Sequence, residues 1–217
     1  MPVKPFSREF IAFLSLLRFI RPDTIIRSVI VDYLQHTFQG DNVGIASIYC
    51  SYKEQREQTT TNLIGSLVQQ LVQRHTIVPD DVRKLYKYHI RTRTRPSLQE
   101  FSNLLHSQLH KFSKTFVIID ALDECPESNR ETLITKILKL QSGIHLLVTS
   151  RHIAGIECLF ENAARLEILA KDEDVKGYLE SRIAREGRLK LHVKSDPTLR
   201  DAIIDTIVEK ASGMFVK

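Results

Sequence analysis

The segment Phe116-Val-Ile-Ile119 is apolar at every position and runs straight into Asp120. A strand with one face in water alternates apolar and polar residues. A strand without that alternation is covered on both faces, the condition of a central strand in a parallel sheet. Ile144 to Val148 repeats the pattern, interrupted only by His145, and Val43 to Tyr49 is a third short run with β-branched residues. Parallel neighbours cannot be joined by a tight turn and need a crossover, and stretches of helical period lie between these runs. An α/β fold follows, with a parallel sheet and helices on its faces.

The helical stretches are specific. Ile25 to Phe38 sets Ile25, Ile26, Val29, Ile30 and Leu34 on one side, and Gly40-Asp41-Asn42 breaks it. In Thr59 to Arg74 the apolar residues are Leu63, Ile64, Leu67, Val68, Leu71 and Val72, and Pro79 opens a further helix reaching about His89. Ser97 and Glu100 have capping-box spacing, ahead of Leu98, Phe101, Leu104, Leu105 and Leu109. Ser128 and Glu131 repeat that spacing before Leu133, Ile134, Ile137 and Leu138, with Gly143 as the stop. A weaker strand is expected near Arg165 to Leu169. Past Ala170 only helices are expected. Lys171-Asp-Glu-Asp174 places acids in a first turn, where the helix dipole favours them, and Val175, Tyr178, Leu179 and Ile183 form the apolar side. Asp196-Pro197 opens a last helix with Leu199, Ala202, Ile203, Ile207 and Ala211 inward and Gly213 as its stop. The expected parts are therefore a truncated N-terminal segment (1–24), an α/β core (25–170) and the start of a helical subdomain (171–217).

Composition removes several other classes. Three widely spaced cysteines, Cys50, Cys125 and Cys158, support neither a disulfide framework nor a zinc site, and a reducing, cytoplasmic setting is the default. Phe10 to Leu17 is too short to span a membrane, and Glu9 together with the lack of small cleavage-site residues argues against a signal peptide. The net charge of +5 is densest from Arg83 to Arg95. Without a base-reading motif, that stretch reads as a solvated helix and loop rather than a nucleic-acid site. His106 and His110 are four apart but have no third ligand. Cys125 reads as a packing residue rather than a nucleophile, since no base is indicated.

Chemistry is indicated at two strand ends. Asp120, at the end of a buried strand, sits at the carboxyl edge of the sheet, where open α/β folds bind ligands. A carboxylate there can hold Mg²⁺ through its water shell, and Asp123 or Glu124 just beyond it could polarise an attacking water. Leu146-Leu-Val-Thr149-Ser150-Arg151 delivers a guanidinium to the same edge, where its planar, permanently charged fork suits a terminal phosphate.

Together these segments carry a resemblance. Asp120-Ala-Leu-Asp-Glu-Cys-Pro and Leu147-Val-Thr-Ser-Arg151 resemble the Walker B and sensor-one motifs of fungal NACHT proteins, members of the STAND class of signalling NTPases. The nephrocystin-3-like N-terminal domain is the group the chain is most similar to. Val43-Gly-Ile-Ala-Ser-Ile-Tyr-Cys-Ser-Tyr-Lys-Glu-Gln resembles the family's second strand and turn, and Ala211-Ser-Gly-Met-Phe215 the end of a later helix. The resemblance implies a P-loop NTPase-like core that switches with ATP or GTP and Mg²⁺ and hydrolyses slowly, between an effector domain and a repeat array. It also implies protein partners, and oligomerisation in a full-length parent.

One expected element is missing from the sequence. A P-loop has the form G-x-x-x-x-G-K-[ST]. Of the eight glycines, none is followed by Lys-Ser or Lys-Thr. Where the loop should lie, ahead of Ile25, the chain reads Phe19-Ile-Arg-Pro-Asp23-Thr24. Thr24 stands at the hydroxyl position, but Asp23 replaces the lysine and would repel a triphosphate. Pro22 removes a backbone donor. A deletion of the first strand and loop, in evolution or through a mispredicted exon, accounts for this. Charge-assisted hydrogen bonds contribute about 1.5–3 kcal/mol each, so losing several implies weak or absent nucleotide binding and argues against activity. A nucleotide-independent interaction scaffold is the alternative, and nucleic-acid binding ranks last.

Overall fold

The computed structural model describes residues 26–39, 42–140, 144–161, 163–167 and 172–211. The described residues divide between two compact units, with the break between Ala164 and Arg165.

The first unit holds helix α1 (Ile26–Thr37), strand β1 (Val43–Tyr49), helices α2 (Thr60–Gln73), α3 (Asp80–Thr92) and α4 (Leu98–Leu109), strand β2 (Lys114–Asp120), helix α5 (Glu127–Leu138), strand β3 (Ile144–Val148) and the short helix α6 (Ala154–Leu159). The three strands are parallel in the order β1-β2-β3. In register, Ile45 lies beside Phe116 and Phe116 beside His145, while Ile48 lies beside Ile119 and Ile119 beside Val148. The unalternating strand is central, as its composition requires, and residues 115–120 are all buried.

Helices cover both faces. On one, Ala46, Ile48, Val117 and Ile119 share a core with Ile64, Leu67 and Leu71 of α2 and with Leu133, Ile134 and Ile137 of α5. On the other, Phe38 just past α1 meets Phe116 at a ring-centroid distance of 5.1 Å, and His145 stacks on Phe116 at 4.9 Å. Fully burying such an aliphatic side chain contributes about 1.5–3 kcal/mol, so the sheet is held in place by its two coats. Gly44 lets α2 come close: a Cβ there would lie 2.9 Å from the side chains of both Leu71 and Phe112.

Capping sets several boundaries. Ser97 and Glu100 form the expected capping box at α4. The box expected from Ser128 and Glu131 does not form. Pro126 stands at the cap with no side-chain hydrogen bond, and its carbonyl accepts from the Asn129 and Arg130 amides, so α5 starts at Glu127 and Ser128 lies within its first turn. Helix α3 runs to Thr92, three residues past the expected end, and stops where Arg93 turns left-handed at φ 54°. No strand forms over Arg165 to Glu167, where Leu166 is exposed and so offers no buried face. Residues 168–169 of that expected strand lie outside the described residues, as do Gly40, Asp41 and Gly143.

The second unit comprises helices α7 (Asp172–Arg185), α8 (Gly187–Ser195) and α9 (Pro197–Ala211). Val175, Leu179, Ile183 and Ile204 are its buried core, with Leu189, Val193, Ile203, Ile207 and Val208 packed around them. The inward stripe of α9 is thus Ile203, Ile204, Ile207 and Val208, and Ala202 faces water instead. Among the described residues no helix is long and apolar enough to cross a membrane.

Candidate functional site

The register places the ends of β2 and β3 side by side, one residue beyond Ile119 and Val148. Asp120 and Thr149 occupy that next position. The Thr149 amide donates to the Ile119 carbonyl at 2.9 Å, carrying the ladder past β3. The Thr149 hydroxyl donates to Asp120 Oδ1 at 2.5 Å and accepts from the Ala121 amide at 2.9 Å. The Leu122 amide closes the set on the Thr149 carbonyl at 2.9 Å. These bonds fasten a tight reversal. Ala121 is left-handed at φ 56°, a conformation that costs a non-glycine residue about 1–2 kcal/mol.

Beyond it, Leu122–Glu124 makes a single 3₁₀ turn that sends the two remaining acids in different directions. The Asp123 side chain is only 4% exposed and accepts from Arg151 twice, from Nε to Oδ2 at 2.5 Å and from the backbone amide to Oδ1 at 3.3 Å. The Arg151 side chain itself is 71% exposed. Its hydrogen bond and ion pair with Asp123 push the guanidinium above its ordinary range. Glu124 is buried and faces the β1–α2 connection, where Oε2 accepts from the Tyr52 amide at 3.1 Å. Its carbonyl accepts from Gln55 Nε2 at 3.1 Å.

Asp120, Asp123 and Arg151 therefore meet at one sheet edge, while Glu124 braces the neighbouring turn. Thr24 lies outside the described residues. Three further residues were not singled out from the sequence. Thr149 fastens Asp120. Gln58, buried, bridges the Tyr49 carbonyl at 2.9 Å and the Ser51 amide at 3.0 Å. Arg130, also buried, donates to the Cys125 carbonyl at 3.0 Å from within α5. For Thr149 the signal was available: it follows β3 by one residue, as Asp120 follows Ile119.

Among the described residues no three His, Cys, Asp or Glu side chains converge on one point. Asp120 already accepts from Thr149, and Asp123 is occupied by Arg151. These residues alone do not make a magnesium site, and no chemical step is routed through one.

Three parallel strands coated by helices on both faces, with acids at the carboxyl edge, make an α/β domain consistent with a P-loop NTPase-like fold. The family model described as "Nephrocystin 3, N-terminal" matches residues 24–151, and the chain belongs to that family. In structure the chain is similar to the Walker-type ATPase PABY2304 of Pyrococcus abyssi, with 10% identity and a TM-score of 0.36, over 81% of this chain and 64% of that one. It is also similar to C. elegans PCH-2, with 13% identity and a TM-score of 0.27, over 83% of this chain and 47% of that one. The chain thus spans less than two thirds of either structure. No curated protein matches it in sequence.

Proposed function

We propose that this chain is the partial core of a NACHT-type STAND NTPase that binds nucleotide poorly or not at all. In this reading the parent protein acts in nucleotide-switched signalling or self/non-self recognition in the cytoplasm, through protein partners and oligomerisation. Asp120 is the family's magnesium carboxylate, Asp123 and Glu124 the water-polarising acids, Arg151 the reader of the terminal phosphate, and Thr24 the surviving hydroxyl of the phosphate loop. ATP or GTP is the family's nucleotide.

The observation that carries the defect is in the sequence: no glycine of the chain precedes Lys-Ser or Lys-Thr, and Asp23 stands where the resemblance puts the lysine. Charge-assisted bonds from that lysine and loop contribute about 1.5–3 kcal/mol each, and their loss lowers affinity by orders of magnitude. Titration calorimetry with ATP and GTP in the presence of Mg²⁺ is expected to give no saturable heat. Tight, magnesium-dependent binding overturns the proposal.

A second reading is a nucleotide-independent interaction scaffold. It is favoured by the way protein donors already engage Asp120, Asp123 and Glu124. Partner capture that is unaffected by added nucleotide is the mark of the scaffold.

A further inference from the structure

Helix α3 is amphipathic in an unusual way. Its inner side is employed: Val82 and Leu85, both only partly buried at the margin, pack on the core, Asp81 accepts from Ser107, Gln108 and Lys111 of and beyond α4, and His89 bonds Thr94 and Glu100. The outer side nevertheless keeps large apolar groups in water. Tyr86 is 65% exposed and Ile90 61%, and Ile77, in the connection just ahead of the helix, is 74% exposed. Half of the exposed large hydrophobic side chains among the described residues fall between positions 77 and 90. Scattered exposed apolar groups need no explanation, but a contiguous cluster marks an interaction surface.

Its shape and charge narrow the partner. Ile77, Val78, Val82 and Tyr86 line a depression of about 610 Å³, with Arg83 at its rim. Tyr86 and Ile90 are one turn apart and extend the apolar strip along the helix. Arg83, Lys87 and Arg91 run beside it, and among the described residues neither Lys87 nor Arg91 is ion-paired, while Arg83 donates to the Val78 carbonyl at 3.2 Å and reaches Asp80 only at 4.0 Å. We infer that the outer flank of α3 docks an acidic amphipathic segment of a partner protein, with apolar side chains seated in the depression and along Tyr86 and Ile90, and carboxylates facing Arg83 and Lys87. Tyrosine and arginine are the residue types that carry most binding energy at protein interfaces. An interfacial helix lays its whole apolar face in the bilayer, whereas Val82 and Leu85 of α3 are committed to the core. Single-stranded nucleic acid needs aromatic rings on one platform, whereas Tyr86 and Tyr88, two residues apart on a helix, point about 200° apart. This docking surface stands whether or not the domain binds nucleotide.

The test uses the whole chain as bait for a display library of random peptides. Enriched peptides are synthesised with a fluorophore and titrated against wild type, Tyr86→Ser/Ile90→Ser, Arg83→Glu/Lys87→Glu and, as a control at a distant exposed apolar residue, Leu191→Ser. The expected peptides carry apolar residues at helical spacing with Asp and Glu between them. Both α3 variants should bind about tenfold more weakly, roughly the effect of one substantial interface contact, with the control unchanged and added salt weakening the complex. No enrichment overturns the inference, as does enrichment that survives both α3 variants. Binding of the chain to phosphatidylcholine vesicles containing phosphatidylserine, lost in the same variants while no peptide binds, overturns it in favour of a lipid surface. All four proteins are checked for matching circular dichroism and thermal unfolding, which exposed substitutions should preserve.

Discussion

Thr149 and Asp120 form one unit: the hydroxyl donates to Oδ1 at 2.5 Å while receiving the Ala121 amide at 2.9 Å. Removing the hydroxyl leaves a buried carboxylate short of a donor and an amide short of an acceptor in a turn that is already left-handed. Thr149→Val is expected to destabilise the chain by about 1–3 kcal/mol, the usual cost of orphaning a buried polar group, and Thr149→Ser to restore most of it. Urea denaturation measures both. A valine variant as stable as wild type would show that the reversal at Ala121 holds without this bond.

The sheet and its coats were legible because their signals are one-dimensional. A short unbroken apolar run rich in β-branched residues points to a doubly covered strand, and the stripes of α2 and α4 repeat at helical spacing, so β1, β3, α2 and α4 fall within a residue or so of expectation. The start of α5 was missed because Pro126 supplies a carbonyl rather than a capping side chain. Helix α8 was missed because Leu189, Leu191 and Val193 alternate at a strand-like period, and Leu191 is exposed. At the site, the sequence brought Asp120, Asp123 and Arg151 to one edge. It could not tell which acid each donor would take, because that depends on the 3₁₀ turn that separates Asp123 from Glu124.

Glu124 serves the β1–α2 connection in this structure, so its acceptor role and its charge can be separated. Glu124→Gln keeps an oxygen for the Tyr52 amide, whereas Glu124→Ala leaves that amide without its partner. The glutamine variant should keep most of the stability and the alanine variant should lose about 1.5–3 kcal/mol, the worth of a hydrogen bond to a charged acceptor. Equal losses in both would mean that the negative charge, rather than the acceptor, holds the turn.

Asp123 is nearly inaccessible and Arg151 is its cation. Arg151→Ala leaves the buried carboxylate with the residue-151 backbone amide but without its cation, so the urea midpoint should fall. Asp123→Asn should lower it less, and the double variant should recover part of the loss of Arg151→Ala, since a neutral amide needs no counter-ion. Strictly additive effects in the four-member cycle would show the pair to be energetically uncoupled.

The seam between α3 and α4 should carry a pH signature. Burial works against the Asp81 carboxylate, but hydrogen bonds from Ser107, Lys111 and the Val82 amide, with the Lys111 charge, hold it below the usual carboxylate range. A folded-state value below the unfolded one means the stabilisation is present above the unfolded value, about 3.9 for aspartate, and is lost as pH falls through the lower, folded value. Asp81→Asn should therefore unfold at lower temperature than wild type near neutral pH. That gap should narrow once the pH drops below about 4. A gap independent of pH would assign the loss to packing instead.

Cysteine labelling sets two effects against each other. The Cys50 thiol beside it, then the Arg130 charge, lower the Cys125 thiol below the ordinary range against the pull of burial, and a lowered thiol is the more reactive kind. Access says otherwise, since Cys50 and Cys125 are buried and Cys158 is exposed. Alkylation requires the reagent to touch sulfur, so burial should win. Iodoacetamide on the folded chain should label Cys158 first, and Cys50 and Cys125 only after urea unfolds the core, as read by peptide mass spectrometry. Native labelling of Cys125 ahead of Cys158 would mean that the turn carrying Asp123 and Glu124 opens readily, and the bonds from Thr149 and Tyr52 would then be weaker fastenings than their geometry indicates.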